Sequence, residues 1–231
     1  MYSKDDLDYR PLPLPDRVQL PPEASLAQAR AFRDYMKKRH SVRHFAPTPV
    51  AEEVIAACIE AAASAPSGAN HQPWHFVAIA DPAVKARIRA AAEEEERAFY
   101  AGGAGDEWLR ALEPIGTGAE KPHLEIAPWL IVVFAQRWGV TAEGARYKHY
   151  YVPESVGIAT GMLIAAIHHA GLVCLEHTPN PMKFLPELCG RPAAEKAVMI
   201  LPVGYPAEDA TVPAAAKLKK PRAQIMSILK G

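Results

Sequence analysis

The chain has 231 residues, 49% hydrophobic and 23% charged, enough for one sizeable core and ordinary for a globular protein. Lysine plus arginine equals aspartate plus glutamate at 26 each, so no basic excess points to nucleic acid. No apolar run approaches the roughly 20 residues of a membrane span, the polar start is unlike a signal peptide, and three widely spaced cysteines read as buried thiols of a reducing, cytoplasmic compartment.

Residues 1–24 are proline-rich and without periodicity, which predicts an extended arm. Ser25 is placed to cap a helix through Arg39, with Leu26, Ala29, Phe32 and Met36 on one face. Arg39, Ser41 and Arg43 follow. Two guanidinium forks around a hydroxyl suit a phosphate, although on spacing alone a solvated basic helix end is the better reading. Thr48 and Pro49 read as the cap and first residue of a helix striped by Val54, Ile55, Cys58, Ile59 and Ala62. The loop Ser64-Ala65-Pro66-Ser67-Gly68-Ala69-Asn70-His71-Gln72-Pro73 can set backbone N–H groups and a hydroxyl against a ligand. Taken alone it is a connection to the apolar strand at 74–80.

Asp81-Pro82 repeats a cap-plus-proline signature and opens a helix through Val84, Ile88 and Ala91 to Glu93-Glu94-Glu95-Glu96 and Tyr100. Four consecutive glutamates read as a solvated face. The glycine-rich stretch at 101–105 breaks the helix, and 107–119 is irregular and partly helical. A buried strand at 128–135 precedes a helix at 155–170 that is apolar nearly all round, which predicts a core shared with a second subunit. Gly171 ends it. A short strand at 172–175, the loop 176–181, a short helix near 182–189, a strand at 197–203 and a basic tail complete the chain. The alternation predicts one α+β or α/β domain from 25 to 231. Dinucleotide and Walker loops, hydrolase elbows and metal-ligand spacings are not seen in the sequence, and most of the nine histidines read as structural or exposed.

Arg39, Ser41, Val42, Arg43 and Phe45, with Ala65-Pro66-Ser67-Gly68-Ala69 and Gln72-Pro73-Trp74, resemble the nitroreductase superfamily of FMN enzymes. The Glu93–Glu96 run with Tyr100, then Lys121, Gly190-Arg191-Pro192 and Leu201-Pro202-Val203-Gly204-Tyr205-Pro206, resemble its iodotyrosine deiodinase branch, over about 25–230. The resemblance implies an α+β nitroreductase-like fold: a central mixed sheet surrounded by helices, in an intertwined homodimer with FMN at each subunit interface. It implies that Arg39, Ser41 and Arg43 hold the phosphate and ribityl chain, with His40 where relatives carry a second arginine. Lys219 would lie near the phosphate, Ser67 would reach the flavin from the other subunit, and Glu176, His177 and Thr178 would border it. The Thr178 hydroxyl would face flavin N5, an arrangement associated with one-electron steps, and is the catalytic candidate. Glu96, Tyr100 and Lys121 match a lid at about 96–121 that grips an amino-acid zwitterion, and the Ala69 N–H matches the holder of a phenolate. The implied activity is FMN-dependent reductive dehalogenation of halogenated tyrosines, with NAD(P)H or another reductant as electron donor. The alternatives are an NAD(P)H-dependent nitroreductase or flavin reductase acting on other aromatics, and a flavin-binding protein without turnover.

Overall fold

The structure, a computed structural model, describes residues 9–103 and 105–230. Helix α1 spans Pro22–Met36. It starts before Ser25 because Pro21 is already extended (φ −57°, ψ 153°) and its carbonyl accepts the Ser25 N–H at 2.9 Å, so Ser25 lies inside the first turn. No α1 residue is buried. Near its end Tyr35 donates its hydroxyl proton to the His168 carbonyl at 2.6 Å. Helix α2 spans Glu52–Ala63, and Ala51, not Thr48, stands at its cap. Val50 is buried in the core and its carbonyl accepts the Trp129 indole N–H at 2.9 Å, which holds the chain extended past Pro49.

The strands are β1 (Trp74–Ile79), β2 (Trp129–Gln136), β3 (Trp138–Val140), β4 (Arg146–Lys148), β5 (Val173–Cys174) and β6 (Glu195–Gly204). The main sheet runs β1-β2-β6-β5 and its ladders are antiparallel. The expected mixed character is confined, among the described residues, to a single parallel bridge between Ser41 and Cys174. Residues 41–45 cross the sheet's end, bridging Cys174 at one point and Pro206 at another, instead of running alongside a strand. Strands β3 and β4 form a separate hairpin that the sequence pattern did not announce.

Strand β2 is buried on both faces, as a continuous apolar run should be. Ile131 and Val133 point to one side, with Leu201 and Val203, and meet Ile55 and Cys58 of α2 and Leu163 and Ile167 of α6 (Val152–His169). Leu130, Val132 and Phe134 point to the other side, with Ile200, and meet Ile88 and Ala92 of α3 (Pro82–Ala98) and Leu185 of α7 (Leu185–Leu188). Asp81 caps α3 as expected, accepting from the Ala83 and Val84 N–H groups at 2.8 and 3.3 Å. A π-turn at Phe99–Gly103, helix α4 (Asp106–Leu112), a 3-10 turn at Glu113–Ile115 and helix α5 (His123–Ile126) lead from α3 back to β2. The short α8 (Arg222–Ile225) lies in the tail. Helix α6 begins earlier than residue 155, after Tyr151 in the left-handed region (φ 51°), and Ile158 remains 46% exposed. No helix among the described residues is long and apolar enough to cross a membrane.

Candidate active site

The chain leaving α1 delivers Arg39, His40, Ser41 and Arg43 to the edge of β5. The Val42 N–H donates to the Cys174 carbonyl at 3.0 Å and fixes the register. From β5 the chain continues to Glu176, whose carboxylate accepts from Ser41 Oγ and, at 3.3 Å, from Arg39 Nη1. Burial and the Glu176 carboxylate push the Cys174 thiol up to about 12. Burial, and then Lys217, Arg39 and Lys219, push His40 below the ordinary histidine range. Its Nε2 stands 3.4 Å from Lys217 Nζ. Cations from both ends of the chain therefore converge, and Glu176 answers Arg39. A dianionic phosphate is the partner that such a surplus fits. Burial lowers the pKa of Arg43, against the pull of Glu176 and Tyr100.

Past Glu176 the side chains alternate as in a strand. His177 is bridged to Ile200 by backbone bonds of 2.9 and 2.8 Å and is buried, while Thr178 is exposed. His177 meets His123 edge to face, with centroids 5.6 Å apart. The Nε2 atoms of both rings are buried without a hydrogen-bond partner in the protein. Burial, with Lys121 and Arg43 adding to it, holds His123 down at about 4. Burial and His123, then Lys121 and Arg43, hold His177 down at about 3. Two neutral imidazoles thus lie within the field of these two cations. His123 was not visible as a site residue in the sequence, because nothing in its spacing marks the contact.

The segment from Phe99 to Lys121 folds over toward Arg43. A cleft of about 300 Å³ is bounded by Arg43 and His44, by 113–116, and by 211–213. Lys121 is buried. Its Nζ lies 3.1 Å from Glu96 Oε2, donates to the Gly118 carbonyl at 2.6 Å and to Thr117 Oγ1 at 3.3 Å, and stands 6.0 Å from the Tyr100 ring centre. The Tyr100 hydroxyl donates to the Thr117 carbonyl at 3.2 Å, and burial raises its pKa. The structure therefore brings Glu96, Tyr100 and Lys121 into one group. The glutamate run is not uniformly solvated: Glu93 is buried and accepts from Arg89 Nε at 2.6 Å and from the Lys121 N–H at 2.7 Å.

Ser67 and Ala69 occupy a separate loop that docks on the entry to α6. Ser67 Oγ accepts the Gln72 N–H at 2.9 Å, and the Gly68 N–H donates to Ser155 Oγ at 3.3 Å. Ala69, Asn70 and Gln72 all have positive φ, near 50°. Strained backbone of this kind persists where surrounding structure imposes it, and here the Asn70 N–H donates to the Ser67 carbonyl at 3.0 Å within the loop. Lys219 lies on the exposed tail. No group of three or more metal-ligating side chains is present among the described residues.

The nitroreductase family model matches residues 36–205. The iodotyrosine deiodinase of Haliscomenobacter hydrossis is 50% identical over 196 residues, covering 85% of this chain and 88% of that protein. That of Nematostella vectensis is 40% identical over 225 residues, 97% and 84% of the two chains, and the human iodotyrosine deiodinase 1 is 44% identical over 89% and 71%. A crystal structure of oxidised iodotyrosine deiodinase bound to FMN and 3-iodo-L-tyrosine superposes with a TM-score of 0.70 at 31% identity, over 87% of this chain and 99% of that one. A Bacteroides fragilis nitroreductase with bound FMN shares the fold, at 22% identity and a TM-score of 0.61 over 86% and 98%.

Proposed function

Because the chain belongs to the nitroreductase family, we propose that it is an FMN-dependent reductive dehalogenase of halogenated tyrosines, releasing tyrosine and halide. The observation that carries this reading is the Glu96–Tyr100–Lys121 group, with Lys121 buried, facing the Arg43 side of the phosphate cradle. A carboxylate and an ammonium are what an amino-acid zwitterion requires, and a general reducer of nitroaromatics has no use for them. Bound FMN supplies two electrons, drawn from NAD(P)H or another reductant, as the carbon–halogen bond breaks and a proton takes the halogen's place on the ring.

Arg39, Ser41 and Arg43 hold the phosphate and ribityl chain, with Lys217 and Lys219 adding positive field and His40, held toward its neutral form, offering a ring nitrogen or its backbone N–H. Phosphate binding replaces the present hold of Glu176 on Ser41 and Arg39, or shares it. Thr178, exposed two residues beyond Glu176 in the extended segment bridged at His177, offers its hydroxyl to the flavin edge. Glu96 takes the substrate ammonium and Lys121 its carboxylate, so the direct link between them opens as the zwitterion enters. Tyr100 covers the group, and closure of the segment sheds water. The Ala69 N–H, in a backbone of left-handed φ, donates to the phenolate, and Ser67 touches the flavin, both from a partner subunit. The exposed apolar side chains of α1 and the tail support that homodimer, and three free thiols suit a cytoplasmic site.

The deciding experiment reduces FMN-loaded protein with dithionite, adds mono- or diiodotyrosine and measures iodide. Stoichiometric release is expected. No release from fully loaded protein would overturn the reading, and robust NADPH oxidation with nitroaromatics alone would replace it.

A further inference from the structure

Helix α3 carries Lys85, Arg89, Glu93 and Glu96 at steps of three and four residues, so they share one helix face, and Tyr100 follows in the π-turn. That face grips the chain from 117 to 128. Lys85 Nζ donates to the Ala127 and Glu125 carbonyls at 2.8 and 3.1 Å. Arg89 joins Glu125 at 2.7 Å through Nη1 and Glu93 at 2.6 Å through Nε, and Glu120 lies 3.8 Å away. Glu93 takes the central place: a single oxygen, Oε1, receives both the Arg89 guanidinium and the Lys121 backbone N–H. A buried carboxylate with those two donors is a fixed point, because leaving it unpaired is costly.

We infer that Glu93 is a positioning residue for amino-acid recognition, holding the Lys121 backbone so that its ammonium stands opposite Glu96. This rests on the zwitterion reading above. The inference concerns where Lys121 stands, since Glu93 itself contacts the Lys121 main chain and not its ammonium. Glu96 lies one helical turn further along the same face, so α3 sets both halves of the charge pair from one rigid element. A general structural role would weaken the protein toward every ligand alike. A positioning role weakens it only toward ligands that carry the ammonium and carboxylate.

The test measures binding of mono-iodotyrosine and of 2-iodophenol to FMN-loaded protein by flavin fluorescence. Glu93→Leu removes the acceptor and should weaken iodotyrosine binding by about tenfold, in keeping with loss of one charged hydrogen bond acting through its neighbour, and leave iodophenol binding within about twofold. Glu93→Gln keeps an oxygen for the Lys121 N–H and should recover most of the affinity. Lys121→Gln serves as reference. If Lys121→Gln weakens iodotyrosine binding and Glu93→Leu does not, the positioning role is wrong while the zwitterion reading stands. If Lys121→Gln changes nothing, the zwitterion reading itself falls, and the positioning role with it. Equal losses for both ligands in Glu93→Leu overturn the positioning role. Should Glu93→Leu fail to retain FMN, Arg89→Met takes its place. A selective loss for iodotyrosine is again expected, and a loss shared with iodophenol, or none, counts against the inference.

Discussion

Lys121 Nζ meets Glu96, Thr117 and Gly118 at once, so no single replacement reproduces its place. Each charged contact to a zwitterion contributes about 1.5–3 kcal/mol. Glu96→Gln and Lys121→Gln should therefore each weaken halotyrosine binding by roughly tenfold to a hundredfold, read by flavin fluorescence, with a halophenol almost unaffected. Thr178→Ala should keep FMN bound yet lower iodide release, and spare two-electron nitro reduction. Unchanged iodide release would remove Thr178 from the chemistry. His123 yields a pH prediction. Its pKa falls from 6.5 in the open chain to about 4 in the fold, so protonation favours unfolding. The stability held by the neutral ring is fully present above pH 6.5 and fades as pH drops toward 4, by on the order of 3 kcal/mol. Thermal melts from pH 7 to 4 should show that loss, added to the one that buried His177 contributes over the same range, and His123→Gln should make the dependence shallower without abolishing it. Arg39, Ser41, Arg43, Thr178 and Lys121 stood out in the sequence only through the family resemblance, since spacing by itself fits a basic helix end, a turn and a surface loop. Glu93, Arg89 and His123 were illegible because a buried charge and a solvated one look alike until packing is known.

Two elements set the reach of the site. Helix α3 grips the chain from 117 to 128, and the loop at 67–72 docks on the start of α6. In that loop a Cβ on Gly68 would lie 2.6 Å from the Tyr150 carbonyl oxygen. The obstacle is backbone and cannot swing aside. Gly68→Ala should shift the loop, lower the melting temperature by several degrees for roughly 1–3 kcal/mol of overpacking, and raise the FMN dissociation constant. Flavin retention on a desalting column checks it. The elements themselves were mostly legible. Asp81-Pro82 worked as written because the chain there is free to turn. Thr48-Pro49 did not, because Val50 is claimed by the core and by Trp129. The β3–β4 hairpin escaped notice because its strands have three residues each, too few to show a period.

At the scale of the whole molecule, Leu26 and Phe32 of α1 are 52% and 62% exposed, and Leu218, Ile225 and Ile228 of the tail are likewise uncovered. Helix α6 is apolar on faces that its own chain leaves open, as with Ile158. Such surface in one body calls for a partner. The purified protein should run as a dimer that keeps FMN through gel filtration, and a stable FMN-loaded monomer would contradict this. Helix α6 itself was legible because its apolar run is long and ends at Gly171. The antiparallel sheet was not, since strand direction depends on connections that no local pattern records. The uncovered arms carry a further consequence. If half of each flavin pocket belongs to the neighbouring chain, cofactor occupancy obeys mass action in the protein itself. Serial dilution should then liberate bright, unquenched flavin at a midpoint that moves with subunit concentration, and a cell making little of the chain would hold mostly colourless protein however much FMN it contained.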